Sequence, residues 1–360
     1  MTRRLAILAR GAAALIVSAT LANATEITDQ RGRAVQFDKL PQRLVFLPIP
    51  APSTFIAIDG SAAKIVGMNP YAASAMRDGI MGKLFSGLSR IKSDVVMGAA
   101  NPSNFAPNIE SILALQPDAV FQWATGADNI SALDRLGIPT LGMRATTEQD
   151  FAQYVMMMGK VAGKEERAAE LLKRQDAERE RLKREFGALP PDERPRVLYF
   201  NRATNLLRVS GKGTFNDSYI GLAGGSNAAG DLVSLSTVTI EQVLAWNPQV
   251  ILLGNFDTAT PADFYGDPRW QGLDAVKNRR VYRMPLGGYR WDPPSQESAL
   301  TWIWLAGLLH PDMEQTDLRA VMRDWYRFLY NHALTDDEID GILVMDKNRA
   351  SAGYQRYAKP

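Results

Sequence analysis

Short apolar runs of four or five residues alternate with segments of helical spacing along almost the whole chain. Lys64 to Met68, Ala119 to Gln122 and Pro139 to Met143 read as buried strands. Between or near them, Thr54 to Asp59, Ala72 to Phe85, Ile109 to Leu115 and Asn129 to Leu136 read as helices. Ahead of these, Glu26 to Leu47 alternates and turns at Asp29-Gln30-Arg31-Gly32, as a hairpin followed by a strand. Short apolar strands spaced by helices imply a mostly parallel sheet covered on both faces. The pattern pauses near residue 146 and resumes at Arg196-Val-Leu-Tyr-Phe200. Further strands are expected at Leu206 to Ser210, Val250 to Leu253 and Val281 to Met284, with helices at Tyr219 to Leu222, Ile240 to Ala245 and Gln296 to Leu309.

Between the two runs lies Lys164 to Phe186, a stretch without Gly, Pro or a β-branched residue. Glu166 and Glu170 with Arg174, and Glu178 with Arg181, keep one face in water, while Ala169, Leu172 and Leu182 can line an apolar stripe. At the α-helical rise it would span roughly 34 Å, the width of a small domain. The two flanking runs also share a repeat: Ile109-Glu-Ser-Ile-Leu-Ala-Leu-Gln-Pro-Asp-Ala-Val-Phe121 matches Ile240-Glu-Gln-Val-Leu-Ala-Trp-Asn-Pro-Gln-Val-Ile-Leu252 at five of thirteen positions. In each, a helix starts after a capping residue, Asn108 or Thr239, ends before a proline and feeds into a strand. The expected fold is therefore α/β, with two similar lobes, each built on a mostly parallel central sheet and joined by one long rigid helix. The lobes are residues 25–146 and 191–360, the second with a helical tail, and the linker 147–190 contains the backbone helix 164–186.

Composition narrows the class. Arg3 and Arg4, the apolar stretch Gly11 to Leu21 and the small-residue site Ala22-Asn23-Ala24 predict an export signal over residues 1–24, cleaved after Ala24. The chain has no cysteine, which removes disulfides, thiol nucleophiles and a lipid-bearing cysteine, so a free periplasmic location is expected. A net charge of +2 gives no case for nucleic acid. The chain has only two histidines, too few for a bare zinc or manganese site; His310 reads as a helix-end cap and His332 lies in the tail. Met156 to Met158 reads as core filler. No Gly-x-Ser-x-Gly elbow or phosphate loop occurs, which leaves catalysis few players; Gly211-Lys-Gly-Thr214 reads as a hairpin turn.

Taken in order, Thr28-Asp-Gln-Arg-Gly-Arg33, Arg43-Leu-Val, Ile109 to Val120, Gly224-Gly-Ser-Asn227, Ile240 to Leu253 and Val276-Lys-Asn-Arg-Arg-Val-Tyr282 carry a resemblance over essentially the whole mature chain. The sequence resembles the helical-backbone (class III) substrate-binding proteins of bacterial ABC importers, which serve ferric siderophores, haem, cobalamin and some oxyanions. The resemblance implies a monomer with a ligand cleft between the lobes and a stiff connecting helix that permits small closing motions. It also implies that Glu110 and Glu241, which stand at matching helix starts, pair with arginines of a membrane-embedded permease. A carboxylate at a helix start is favoured by the helix dipole alone, so the role in docking comes from the resemblance.

In α/β sheets, ligands lie beyond the carboxyl ends of the strands. Candidates are Pro48 to Ser53, Tyr71, Trp123 and Arg144 from the first lobe, and Asn201, Arg202, Asn255, Asp257 and Gly287 to Asp292 from the second. Arg144, Arg202 and Arg290 would offer planar cationic donors to anionic oxygens. Tyr71, Trp123, Tyr289 and Trp291 would offer flat apolar area. Asp292 can brace Arg290. The expectation is a receptor for an iron(III)-siderophore or related anionic metal chelate, with no cofactor of its own and any metal held inside the chelate. Molybdate or tungstate, cobalamin, and haem with Tyr71 or Tyr289 as axial ligand are the alternatives on the same scaffold, and a cleft enzyme is the alternative from another class.

Overall fold

Residues 25–97 and 106–359 are described by the computed structural model of the chain; the expected export signal lies outside them. An antiparallel hairpin, β1 (Thr25–Thr28) with β2 (Ala34–Phe37), leads into β3 (Leu44–Phe46). The first lobe continues through α1 (Ala51–Asp59), β4 (Ile65–Met68), α2 (Pro70–Asp78), α3 (Met81–Leu84), α4 (Ile109–Ala114), β5 (Ala119–Trp123), α5 (Ala127–Asp134) and β6 (Thr140–Met143). Its sheet runs β4-β3-β5-β6 and is parallel throughout. The single helix expected over Ala72 to Phe85 is broken at Gly79, where a side chain would meet the Gly287 carbonyl of the other lobe at 2.7 Å. That break answers a tertiary contact, which local spacing does not carry.

Helix α6 (Glu148–Ala162) closes at Gly163, whose φ of 67° turns the chain into α7 (Glu165–Phe186). The second lobe follows with β7 (Arg196–Arg202), β8 (Arg208–Ser210), α8 (Phe215–Leu222), β9 (Ser226–Asn227), β10 (Leu235–Thr237), α9 (Ile240–Trp246), β11 (Val250–Leu253), α10 (Pro261–Gly266), α11 (Asp274–Lys277), β12 (Val281–Arg283) and α12 (Ser298–Leu309). The tail adds α13 (Leu318–Tyr330), α14 (Asp336–Ile342) and α15 (Met345–Asn348). This sheet is mixed: β9, β7, β11 and β12 are parallel, while β8 and β10 extend it antiparallel. The Gly211 to Thr214 segment is not a hairpin turn; it leads from β8 to α8, and Thr214 caps that helix by accepting the Asp217 amide.

The central strands of both sheets, β3, β5, β7 and β11, are buried on two faces, which is why they do not alternate with polar residues. Phe46, Phe121, Tyr199 and Leu252 point inward to one core that runs through both lobes, while Val45 and Val120, and Leu198 and Ile251, face smaller outer clusters. Helix α7 lies along that shared core. Its buried face is Ala168, Leu171, Gln175, Leu182 and Phe186; of the expected stripe Leu182 is buried and Leu172 packs at the edge of the core, while Ala169 is exposed. It packs on α6 from the first lobe and on α8 and α12 from the second. Its charges also do more than meet water. Arg167 donates to Ala57 O of α1 and to Leu329 O of α13, Arg174 pairs with Asp324, and Arg181 pairs with buried Glu314. Helix α13 contacts both α12 and α1, so the tail crosses back over the first lobe. Met157 and Met158 are buried on α6 as core.

Candidate functional site

The carboxyl ends of β3, β5, β6, β7 and β11 open into a cleft of about 550 Å³ between the lobes. The first lobe supplies Ile49 and Pro50 after β3, Trp123 at the end of β5, and Ala145 and Thr146 after β6. The second supplies Tyr199 and Asn201 from β7, Arg208 from β8, Gly213 to Asn216 at the start of α8, Ser234 and Leu235, Phe256 after β11, and Tyr289 with Asp292 to Pro294. The wall is therefore aromatic over much of its extent, with a few polar groups set into it.

The Gly287 to Asp292 loop is held from below by a carboxylate. Glu297, at 0 % exposure, accepts from Gly288 N at 2.9 Å, Trp291 Nε1 at 2.8 Å, Tyr326 Oη at 3.0 Å and Tyr330 Oη at 2.5 Å. Gly287 and Gly288 are required because a Cβ at either would collide with that carboxylate and its tyrosines. Burial pushes the Glu297 carboxyl above the usual glutamate range, against the pull of these four donors. Next to it, Gln296 donates to Tyr330 Oη and accepts from Thr54 of α1 at 3.1 Å, so the polar seam crosses from one lobe to the other.

The sequence-predicted residues divide. Trp123 and Tyr289 line the cleft. Tyr289 is buried at its base, and burial pushes its hydroxyl up to about 12 despite the neighbouring Arg290. Arg290 lies beside the cleft, not on its wall: Nε donates to Asn255 O at 3.2 Å, Nη1 meets Tyr71 O of the first lobe at 3.5 Å, and the guanidinium sits over the Phe256 ring. Tyr71 is half-buried on α2, outside the cleft lining. Trp291 is a correction: it is fully buried with its indole N–H on Glu297, a carboxylate that Tyr326 and Tyr330 also hold, so the ring belongs to the support beneath the loop while Tyr289 lines the cleft. Arg144 is another, since it opens onto a separate groove with Gln30, Gln153 and Lys160. Arg202 is exposed opposite Arg208 on the neighbouring strand. Asp292 does not brace Arg290; it accepts Tyr199 Oη at 2.7 Å and Asn255 N at 3.0 Å. Burial and this carboxylate together hold the Tyr199 hydroxyl well above its ordinary range.

Arg208, Thr214, Asn216 and Phe256 also line the cleft, and none of them is among the strand-end candidates. The first three belong to the antiparallel extension and the helix after it, where the parallel-sheet rule does not reach. Phe256 follows β11 by three residues, between Asn255 and Asp257, and was within reach of that rule.

Glu110 and Glu241 are exposed in the first turns of α4 and α9, which Asn108 and Thr239 cap as expected, Thr239 with a full capping box. The Glu241 carboxyl is held below its usual range by its own backbone amide and the Thr239 hydroxyl. Each helix ends a few residues before the strand it feeds, so its N-terminus lies at that strand's carboxyl end. Both acids thus stand at the cleft end of their lobes. Leu113 and Leu244, three residues on, are exposed at 45 % and 39 %.

His310 caps α12, with Nε2 3.1 Å from Gly224 O, and His332 meets Glu338. Among the described residues no three His, Cys, Asp or Glu side chains are grouped to hold a metal ion, and no helix is long and apolar enough to cross a membrane.

A sequence model of the periplasmic binding protein family matches residues 96–286, more than half of the chain. A periplasmic solute binding protein from Veillonella parvula DSM 2008 has a solved structure with 34% identity, covering 91% of this chain and 99% of that one at a TM-score of 0.82. The molybdate-binding protein MolA of Haemophilus influenzae is 29% identical over 255 residues, 64% of this chain and 72% of its own. Its molybdate-bound structure covers 86% of this chain and 99% of that one at a TM-score of 0.73 and 25% identity. The iron(3+)-hydroxamate-binding protein FhuD of Bacillus subtilis is 24% identical over 218 residues, 54% of this chain and 64% of its own.

Proposed function

Because this chain belongs to the periplasmic binding protein family of ABC importers, we propose that it is the exported receptor for an iron(III)-siderophore or related metal chelate. It hands that ligand to a membrane permease. The observation that carries the ligand class is the cleft itself. A volume of about 550 Å³ walled by Trp123, Phe215, Phe256 and Tyr289 suits an organic ligand with flat faces, and greatly exceeds one tetrahedral anion. Permease docking is assigned to Glu110 and Glu241, two exposed acids at the cleft end of two lobes that share one core. The receptor acts as a monomer, without a cofactor, in the periplasm.

A second reading is favoured by one observation, the likeness to MolA in sequence and structure. In that reading the ligand is molybdate or tungstate and much of the cleft holds water. Tryptophan fluorescence of the purified mature protein, titrated with ferric siderophores, haem, cobalamin, molybdate and tungstate, separates the two. Quenching by ferric siderophores alone supports the proposal, and quenching by the oxyanions alone replaces it.

A further inference from the structure

The cations around the cleft differ in what already holds them. Arg290 is engaged by carbonyl oxygens and by the Phe256 ring. Arg283, behind the same loop, donates to Gly254 O, Asp257 O and Ala259 O. Arg208, a half-buried residue, is the one cationic side chain among the described residues lining the cleft, and its guanidinium has no hydrogen bond or ion pair within the described structure. A cation without a partner in a partly desolvated wall calls for an anion.

The sheet places it there. Residues 208 and 210 lie on one face of β8, and Ser210 Oγ donates to Asn216 Oδ1 at 2.9 Å. That face is thereby turned toward the start of α8, which forms the adjoining wall. Arg202 stands directly opposite Arg208 in the β7–β8 register, a like-charge cross-strand pair that the ladder disfavours. The acids nearby do not answer it. Asp257 is taken by the amides of Ala203 and Thr204 and by the Thr204 hydroxyl, and Asp292 by Tyr199 and Asn255. Two arginines face each other with no counter-charge, one of them on the cleft wall.

Resting on the receptor reading, we infer that Arg208 is the anion anchor of the cleft. It takes an anionic oxygen group of the ligand through two parallel N–H donors, while the ring faces of Trp123 and Phe256 accept the organic part. A catecholate chelate and a free oxyanion share this chemistry, and the test separates them.

Dissociation constants are measured by tryptophan fluorescence for the wild type, R208Q and R208K. The probes are ferric enterobactin, a trianionic catecholate; molybdate; and ferrichrome, an uncharged trihydroxamate. R208Q should weaken whichever anion the wild type binds by about tenfold or more. R208K should recover part of the loss, and ferrichrome, if bound, should change less than about twofold. Because the Arg208 side chain makes no hydrogen bond or ion pair among the described residues and opposes Arg202, unliganded R208Q should melt no lower than the wild type; a purely structural arginine would lower it. Unchanged anion affinity in R208Q, a lower melting temperature, or a wild type that binds ferrichrome alone overturns the anchor, the last while leaving the chelate receptor standing. A wild type that binds none of the probes defeats the receptor reading and the anchor together.

Discussion

Glu297 shows how one residue can set a binding wall it never touches. All four of its partners are donors, and two of them, Gly288 and Trp291, belong to the loop that carries Tyr289 and Asp292. Its carboxyl is raised by burial, so the folded protein binds a proton there more tightly than the unfolded chain. The resulting contribution to stability is complete below the unfolded glutamate value of about 4.3 and is lost as pH rises through the raised folded value. Glu297→Gln removes that term. The unfolding free energy of the wild type, relative to Glu297→Gln, should therefore rise as pH is lowered from neutral toward 5, as denaturant melts at several pH values would show. A difference flat in pH would mean that the four donors cancel the burial penalty. Trp291, at 0 % exposure, belongs to this support. Trp291→Ala should cost about 3–5 kcal/mol in the same melts, a loss of stability that a ligand-contacting tryptophan at the surface would not produce.

At the scale of elements, α7 is tied to its neighbours by more than an apolar stripe. Gln175, buried at its centre, donates to Ser295 O at 3.0 Å, just before α12. Gln175→Leu should cost about 1 kcal/mol in chemical denaturation, the net worth of one hydrogen bond, because the Ser295 carbonyl keeps the amide and hydroxyl of Ser298 as donors. The repeated helices α4 and α9 make a different prediction. Replacing Glu110 and Glu241 together by Ala should leave the ligand dissociation constant within about twofold and reduce uptake in cells; normal uptake by the double variant would remove the docking assignment. Exposed Leu113 and Leu244 extend each acid into a mixed charged and apolar patch, so Leu113→Ser with Leu244→Ser should weaken uptake in the same direction.

Across the whole molecule, the inner faces of both sheets share one core with α1, α6, α7 and α12, and Gly79 abuts Gly287 across the lobes. Wide opening would expose that core, so ligand should change the solution scattering profile little. It should also raise stability by mass action, about 2.7 kcal/mol at one hundred times its dissociation constant. A large ligand-induced change in the radius of gyration would contradict the shared core.

The two α/β lobes, the long helix between them, the repeat around Glu110 and Glu241 and the helix caps were all legible along the chain. Each rests on interactions between residues close in sequence: strand and helix periodicity, capping, and the absence of breakers. The break at Gly79, the exposure of Ala169 on α7, the buried place of Trp291 and the engaged state of Arg290 were not legible. Each is settled by tertiary packing: Gly287 and Tyr71 meet partners far along the chain, α6, α8 and α12 cover α7, and Glu297, six residues from Trp291, is itself held by Tyr326 and Tyr330. The cleft wall falls between these cases. Trp123 and Tyr289 follow from the rule for strand ends, whereas Arg208 reaches the cleft because β8 pairs antiparallel to β7 and turns that face toward α8. A side chain's residue type is local information, but whether its charge is already satisfied depends on partners that folding brings together.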